Sequence, residues 1–259
     1  MTSIPFFQVD AFAERPLTGN PAAVMPLERW LDDDLMQRIA AENNLSETAF
    51  TVPSDTGDAD YELRWFTPTT EVDLCGHATI ASGHVLIHGD AVRFSTRSGI
   101  LTVARNGDRL ELDLPAYEVA PGELAGVQEA LGTSGELFIG EGGNNSAIVL
   151  LEDEAAVRAV TPDFARLVQF DRLVMITAPG DRQDVASRVF ASYHGIDEDP
   201  VTGSAHAALV PFWAKRLGRS EFSALQASAR TGLLHCRLAG DRVILGGRCQ
   251  TVIVGQFQL

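Results

Sequence analysis

Lysine is nearly missing from this chain of 259 residues: Lys215 is the one example, and the remaining basic side chains are all arginine. A pyridoxal-type enzyme anchors its cofactor on a pocket lysine, and Lys215, in Trp213-Ala-Lys-Arg216, reads as solvated surface at the polar end of a helical run. Cysteine is scarce as well. Cys75, Cys236 and Cys249 are an odd number without a C-x-x-C pair, so neither a disulfide framework nor a zinc ribbon is written here. Positive charge is in deficit, 20 basic against 35 acidic residues for a formal charge of -15. Such a surface repels phosphate backbones and anionic lipid, which argues for no nucleic acid and no membrane partner. No apolar run approaches the roughly 18 residues of a spanning helix, and the opening residues reach Asp10 without a basic leader, so the expected location is cytoplasmic. What is present, 45% hydrophobic and 21% charged residues, is the composition of a globular protein with one large domain or two ordinary ones.

Most of the chain reads as short strands. Ile4 to Ala11, Thr48 to Val52, Tyr61 to Phe66, Leu101 to Arg105, Leu173 to Thr177, Val189 to Tyr193, Leu233 to Leu238, Val243 to Leu245 and Thr251 to Val254 cluster β-formers between turn residues. Leu110, Leu112 and Leu114, spaced by Glu111 and Asp113, predict a half-buried antiparallel strand. Helices are few. Leu31 to Asn43 opens on Asp32, Asp33 and Asp34, acids that suit the positive end of a helix dipole. Gly76 to His88 and Gly203 to Trp213 carry no acid or lysine and small residues on every side, the mark of a helix buried all round. Pro211 should kink the second of these.

The two buried helices sit in similar surroundings. Gly19-Asn-Pro-Ala-Ala-Val24 precedes one much as Gly143-Asn-Asn-Ser-Ala-Ile-Val149 precedes the other, 56 positions separating Asn20 from Gly76 and 58 separating Asn145 from Gly203. Each helix also follows an acidic turn, Glu71-Val-Asp73 or Asp197-Glu-Asp199. The economical reading is an α+β fold of two duplicated halves, each a mostly antiparallel, barrel-like sheet wrapped around a central helix. The Pro- and Gly-rich stretch from Pro115 to Glu123 divides residues 1–115 from 116–259, with the last strand free to pack back on the first half.

Small residues at both helix starts leave backbone N–H groups and positive dipole ends for an anion such as a carboxylate; a tight-turn role for Gly76 and Gly203 is the plainer alternative. Glu47 stands where a helix gives way to an apolar strand, a place that suits proton movement, though a surface position or a cap contact with Ser46 is the plainer account of the residue by itself. His77, second in a buried helix, is expected to be kept neutral by the dipole. Asp199 and Ser204 hold the matching turn of the second half, where either could be an N-cap. His77, His84 and His88 could share a helix face, but no H-E-x-x-H accompanies them, and packing is the better account than metal. Gly140-Glu-Gly-Gly143 lacks dinucleotide spacing, and no G-x-S-x-G elbow occurs. Cys75 precedes its helix as a candidate thiolate; Thr202 stands where a second cysteine would be.

Six motifs occur in order: Phe7-Gln-Val-Asp-Ala-Phe12, Thr18-Gly-Asn-Pro-Ala-Ala-Val24, Asn44-Leu-Ser-Glu-Thr-Ala-Phe50, Phe66-Thr-Pro68, Gly76-His-Ala78 and Asp199-Pro-Val-Thr-Gly-Ser-Ala205. Through them the chain resembles the PhzF-type phenazine-biosynthesis-like isomerases, within the wider diaminopimelate epimerase and proline racemase fold. The resemblance implies barrel-like halves with a site in the cleft between them, a homodimer, and no metal or organic cofactor. It makes Glu47 the catalytic glutamate assisted by His77, Asp199 and Ser204, with Asn20, Cys75, Gly76, Thr202 and Gly203 binding a small organic acid. A PhzF-type isomerase shifts a proton along a hydroxylated cyclic diene acid. Two alternatives stand beside this: a partner-binding scaffold on the same fold, and a Cys75-dependent racemase or epimerase, which Thr202 in place of a second thiol disfavours.

Overall fold

The computed structural model describes residues 3–141 and 145–259; Gly143 and Asn144, parts of motifs named above, lie outside the described residues. The chain forms two compact units, Met1–Asp113 with Gly246–Leu259, and Leu114–Leu245. The first contains β1 (Ser3–Ala11), β2 (Asn20–Pro26), α1 (Asp33–Asn43), β3 (Glu47–Pro53), β4 (Tyr61–Phe66), β5 (Glu71–Val72), α2 (Gly76–Leu86), β6 (Ala91–Thr96), β7 (Gly99–Asn106) and β8 (Arg109–Pro115). The second contains β9 (Ala120–Pro121), α3 (Val127–Leu131), β10 (Glu136–Gly140), β11 (Ser146–Leu150), α4 (Glu154–Ala159), α5 (Phe164–Leu167), β12 (Leu173–Pro179), β13 (Val185–Ala191), β14 (Ile196–Asp199), α6 (Gly203–Leu217), β15 (Glu221–Gln226), β16 (Gly232–Ala239) and β17 (Arg242–Gly247). The last strand, β18 (Cys249–Gln258), pairs antiparallel with β1.

The pairing plan of one unit repeats in the other. β1–β2, β3–β4, β4–β5 and β6–β7 are antiparallel, while β2–β3 and β4–β6 are parallel. In the second unit β10–β11, β12–β13, β13–β14 and β15–β16 are antiparallel, and β11–β12 and β13–β15 parallel. Each plan thus carries a short strand, β5 or β14, immediately before its long helix. The α+β fold of duplicated, mostly antiparallel halves follows directly.

α2 lies against β1, β2, β3, β6, β7 and β18, and every residue from Gly76 to Gly83 is buried. Its small side chains let strands approach: a Cβ on Gly83 would come within 2.5 Å of Val103 on β7. The amphipathic α1 instead buries one face, packing Met36, Ile39 and Ala40 on Met25, Phe50, Val52 and Phe66. Each large apolar side chain so buried contributes about 1.5–3 kcal/mol. On β8 the buried positions are Leu110, Leu112 and Leu114, the alternation read from sequence.

α6 runs unbroken through Pro211. Proline there has no N–H for the Ala207 carbonyl, and the Tyr117 N–H supplies it at 2.9 Å. Four elements depart from the sequence reading. The strand expected at Val189 to Tyr193 is β13, which ends at Ala191; Ser192–His194 turn as a 3₁₀ segment that closes on Gly195 at φ 82°. α3, α4 and α5 were not anticipated, because helices of four to six residues show too little periodicity. Two do carry a cap signal: Asp153 accepts from the Ala156 N–H and Asp163 from the Arg166 N–H.

Candidate active site

In the first unit, the starts of two neighbouring parallel strands and of the buried helix bring four polar side chains together. Asn20 opens β2, Glu47 opens β3 opposite Ala22, and Cys75 and His77 flank the first residue of α2. Gly19 sets the approach to Asn20, for it has φ +70° and a Cβ there would fall 2.2 Å from the Ala11 carbonyl oxygen, so only glycine suits. Glu47 Oε2 lies 3.0 Å from His77 Nε2. The other ring nitrogen, Nδ1, faces Asn20 Nδ2 at 3.2 Å and Cys75 Sγ at 3.5 Å, and the Ser46 hydroxyl donates to Asn20 Oδ1 at 3.1 Å. All four are buried, Asn20 completely. The imidazole is therefore gripped along its Nδ1 edge and turned with Nε2 toward the carboxylate. Glu47 Oε2 and His77 Nε2 are thus paired with each other at 3.0 Å as a buried charge contact, and neither has a further hydrogen-bond partner among the described residues.

Burial alone would disfavour a charged His77, but Cys75 and Glu47 outweigh it and hold the imidazole well above the usual histidine range. Cys75 is pushed up to about 11, first by its burial and then by the charge of Glu47. Glu47 is the negative neighbour common to both shifts, favouring the proton on His77 and opposing its loss from Cys75. The neutral imidazole expected from the helix dipole and the thiolate entertained at Cys75 are both corrected: a carboxylate 3.0 Å away and full burial each outweigh a helix end.

The same three side chains could be taken for a metal cage, since their ligand atoms lie within 4.8 Å of one another. Their arrangement argues otherwise. Glu47 meets one ring nitrogen and Cys75 the other, and the lone pairs of the two nitrogens diverge, so one ion cannot take all three in a tetrahedral set. His84 and His88 do not join them: His84 is at 3.0 Å from Thr251 Oγ1, and His88 is exposed beyond the end of α2.

The second unit assembles a different cluster at the start of α6. Thr202 Oγ1 donates to Asp199 Oδ2 at 2.5 Å, and the Thr202 N–H donates to Gln226 Oε1 at 2.8 Å. Asp199, Thr202 and Gly203 are buried, while Ser204, second in α6 as His77 is second in α2, is half-buried. His206 Nδ1 lies 2.8 Å from the Thr202 carbonyl, which makes Nδ1 the protonated nitrogen. Burial lowers its pKa to about 4, so this histidine is neutral. Gln226 was not found from the sequence, since a glutamine ending a strand carries no motif.

Comparison with known proteins places the fold and the family. The phenazine biosynthesis-like family profile matches residues 9–255. An uncharacterized isomerase of Pseudomonas aeruginosa is 48% identical over 99% of both chains. The crystal structure of a PhzF-family protein from Enterococcus faecalis superposes with a TM-score of 0.91 at 44% identity over 100% of both chains. At the level of fold alone, a hydroxyproline epimerase from Agrobacterium vitis reaches a TM-score of 0.67 at 14% identity, over 98% of this chain and 92% of that one. With a family profile covering nearly the whole chain and a relative 48% identical along its length, this chain of duplicated α+β units belongs to the phenazine biosynthesis-like (PhzF) family of isomerases.

Proposed function

We propose that this isomerase moves a proton within a small cyclic carboxylic acid, Glu47 taking it from one carbon and returning it to another without help from a metal or organic cofactor. One observation carries the reading: Glu47 Oε2 and His77 Nε2 face each other at 3.0 Å, both buried, with no further hydrogen-bond partner among the described residues. A single carboxylate that shuttles a proton between nearby carbons needs such shielding from bulk water and a partner that tolerates its changes of charge. His77, held through its other nitrogen, is that partner. Asp199 and Ser204 are assigned to orienting the substrate, and the backbone of Gly76 and Gly203, with Asn20, Cys75 and Thr202, to binding it; family membership supports these roles. The cyclic acid rests on the same footing. A homodimer is proposed too, two-fold dimers being the commonest oligomers; light scattering at micromolar concentration giving a monomer mass would remove it.

The test is solvent deuterium incorporation into a hydroxylated cyclohexadiene carboxylic acid. Glu47→Gln keeps shape and loses the shuttle, so exchange falls by about 10²–10⁴-fold. Cys75→Ala stays within about tenfold, because a thiol with a pKa of about 11 is a poor base at neutral pH. A dead Cys75→Ala beside a nearly normal Glu47→Gln would establish thiol chemistry instead. Tight binding of small acids without any exchange would favour a scaffold.

A further inference from the structure

Gln226 closes β15, is completely buried, and directs its whole amide at one turn. Oε1 accepts the Thr202 N–H at 2.8 Å; Nε2 donates to the Asp199 carbonyl at 2.7 Å and to Thr202 Oγ1 at 3.2 Å. These roles are forced. A backbone N–H only donates and a carbonyl only accepts, so the amide cannot be turned over. With Oγ1 already accepting from Nε2, the single proton of the Thr202 hydroxyl points to Asp199 Oδ2, 2.5 Å away, in the short range of a charge-assisted bond. The order of donation is fixed from Gln226 to Thr202 to Asp199.

The course of the turn has independent supports. Ser228 Oγ donates to the Pro200 carbonyl at 2.8 Å, and Asp199 pairs with Val189 in the β13–β14 ladder. Gln226 shares the backbone path with these supports through its bonds to the Thr202 N–H and the Asp199 carbonyl; what its third bond adds is the direction of the threonine hydroxyl. We infer that Gln226 is a positioning residue that aims the Asp199 carboxylate through Thr202, an inference that rests on the proposed role of Asp199 in orienting substrate. A carboxylate whose Oδ2 is aimed differently is misplaced toward substrate, and misplacement by about 1 Å can cost on the order of 10²-fold.

Four variants of the full chain test this by deuterium incorporation into the same cyclohexadiene acid. Gln226→Met lowers kcat by about 10–100-fold with KM changed less than about threefold; Thr202→Val lowers kcat by a similar factor, and Thr202→Ser, which keeps the hydroxyl, recovers most of what Thr202→Val loses. Gln226→Glu still accepts the Thr202 N–H yet loses both donors, and it matches Gln226→Met. In a double-mutant cycle, Gln226→Met adds nothing to Thr202→Val or to Asp199→Asn; full additivity in either background overturns the inference. A second readout needs no turnover. In threonine-labelled protein the Thr202 hydroxyl proton exchanges slowly enough for NMR, and Gln226→Met abolishes that signal while the remaining threonine resonances stand. A signal that persists in Gln226→Met overturns the inference. If the wild type exchanges no deuterium, the proposed function fails, and this NMR comparison still decides the role of Gln226.

Discussion

The two units share a strand plan and differ in what they place at equivalent points of it. β3 opens on Glu47 while β12, paired in parallel like its counterpart, opens on Leu173. The residue before each central helix is Cys75 or Thr202, and the second residue within it is His77 or Ser204. One unit therefore concentrates groups able to carry a proton. The other concentrates donors and acceptors whose roles are fixed by one another. Duplication supplied two equal frameworks, and the side chains at their strand and helix starts divided the labour.

The largest expected break in this comparison is between β3 and β12. Glu47→Gln lowers deuterium exchange by about 10²–10⁴-fold, whereas Leu173→Gln, at the first position of β12, leaves it within about threefold. The two buried histidines come next, with opposite signs. His206 has a pKa of about 4 in the folded protein, so its contribution to stability is present above about 6.5 and is lost as pH falls toward 4, on the order of 3 kcal/mol. His77 is held above its ordinary value; its contribution is present below about 6.5 and is lost as pH rises through the folded value. Urea unfolding from pH 4.5 to 9, followed by Trp213 in the second unit and Trp30 and Trp65 in the first, shows this: His206→Gln flattens the acid side and His77→Gln the alkaline side. Third, Gly19→Ala costs about 1–3 kcal/mol through its positive φ and contact with Ala11, and it displaces Asn20, so exchange falls along with the thermal midpoint. Last among the first unit's polar cluster is Cys75→Ala, within about tenfold in exchange at neutral pH.

Much of this was legible in the chain because the informative residues break a pattern. Helices free of charge on every side announced α2 and α6, and equal spacings announced the repeat. β2 and β11 were less visible, since Asn20-Pro21 and the glycines before Ser146 read as turns, and only the neighbouring strands make ladders of them. Glu47, His77, Cys75 and Asn20 were each picked out, but their convergence on opposite edges of one imidazole is a tertiary fact. The charge of His77 was misjudged for the same reason: a dipole is visible in sequence, whereas the nearness of a carboxylate thirty positions away is not. Gln226 left no trace at all. Its importance comes entirely from the three bonds it makes to the Asp199–Thr202 turn.

The bond from Tyr117 to the Ala207 carbonyl sets a rule for dissecting the protein. A cut anywhere before α3 keeps every helix of the second unit, yet a fragment starting after Tyr117 would carry α6 with a buried carbonyl left open beside Pro211, at a cost of about 1–3 kcal/mol. The adjoining Ala116 N–H also donates to the Asp241 carbonyl at 2.9 Å, so the same cut would loosen the turn before β17. Any autonomous version of this unit, or any permutant that gives it a new N-terminus, must begin upstream of Ala116. In ribosomal synthesis the requirement is met by order alone: the segment that completes the proline-broken helix has already emerged when the helix is made.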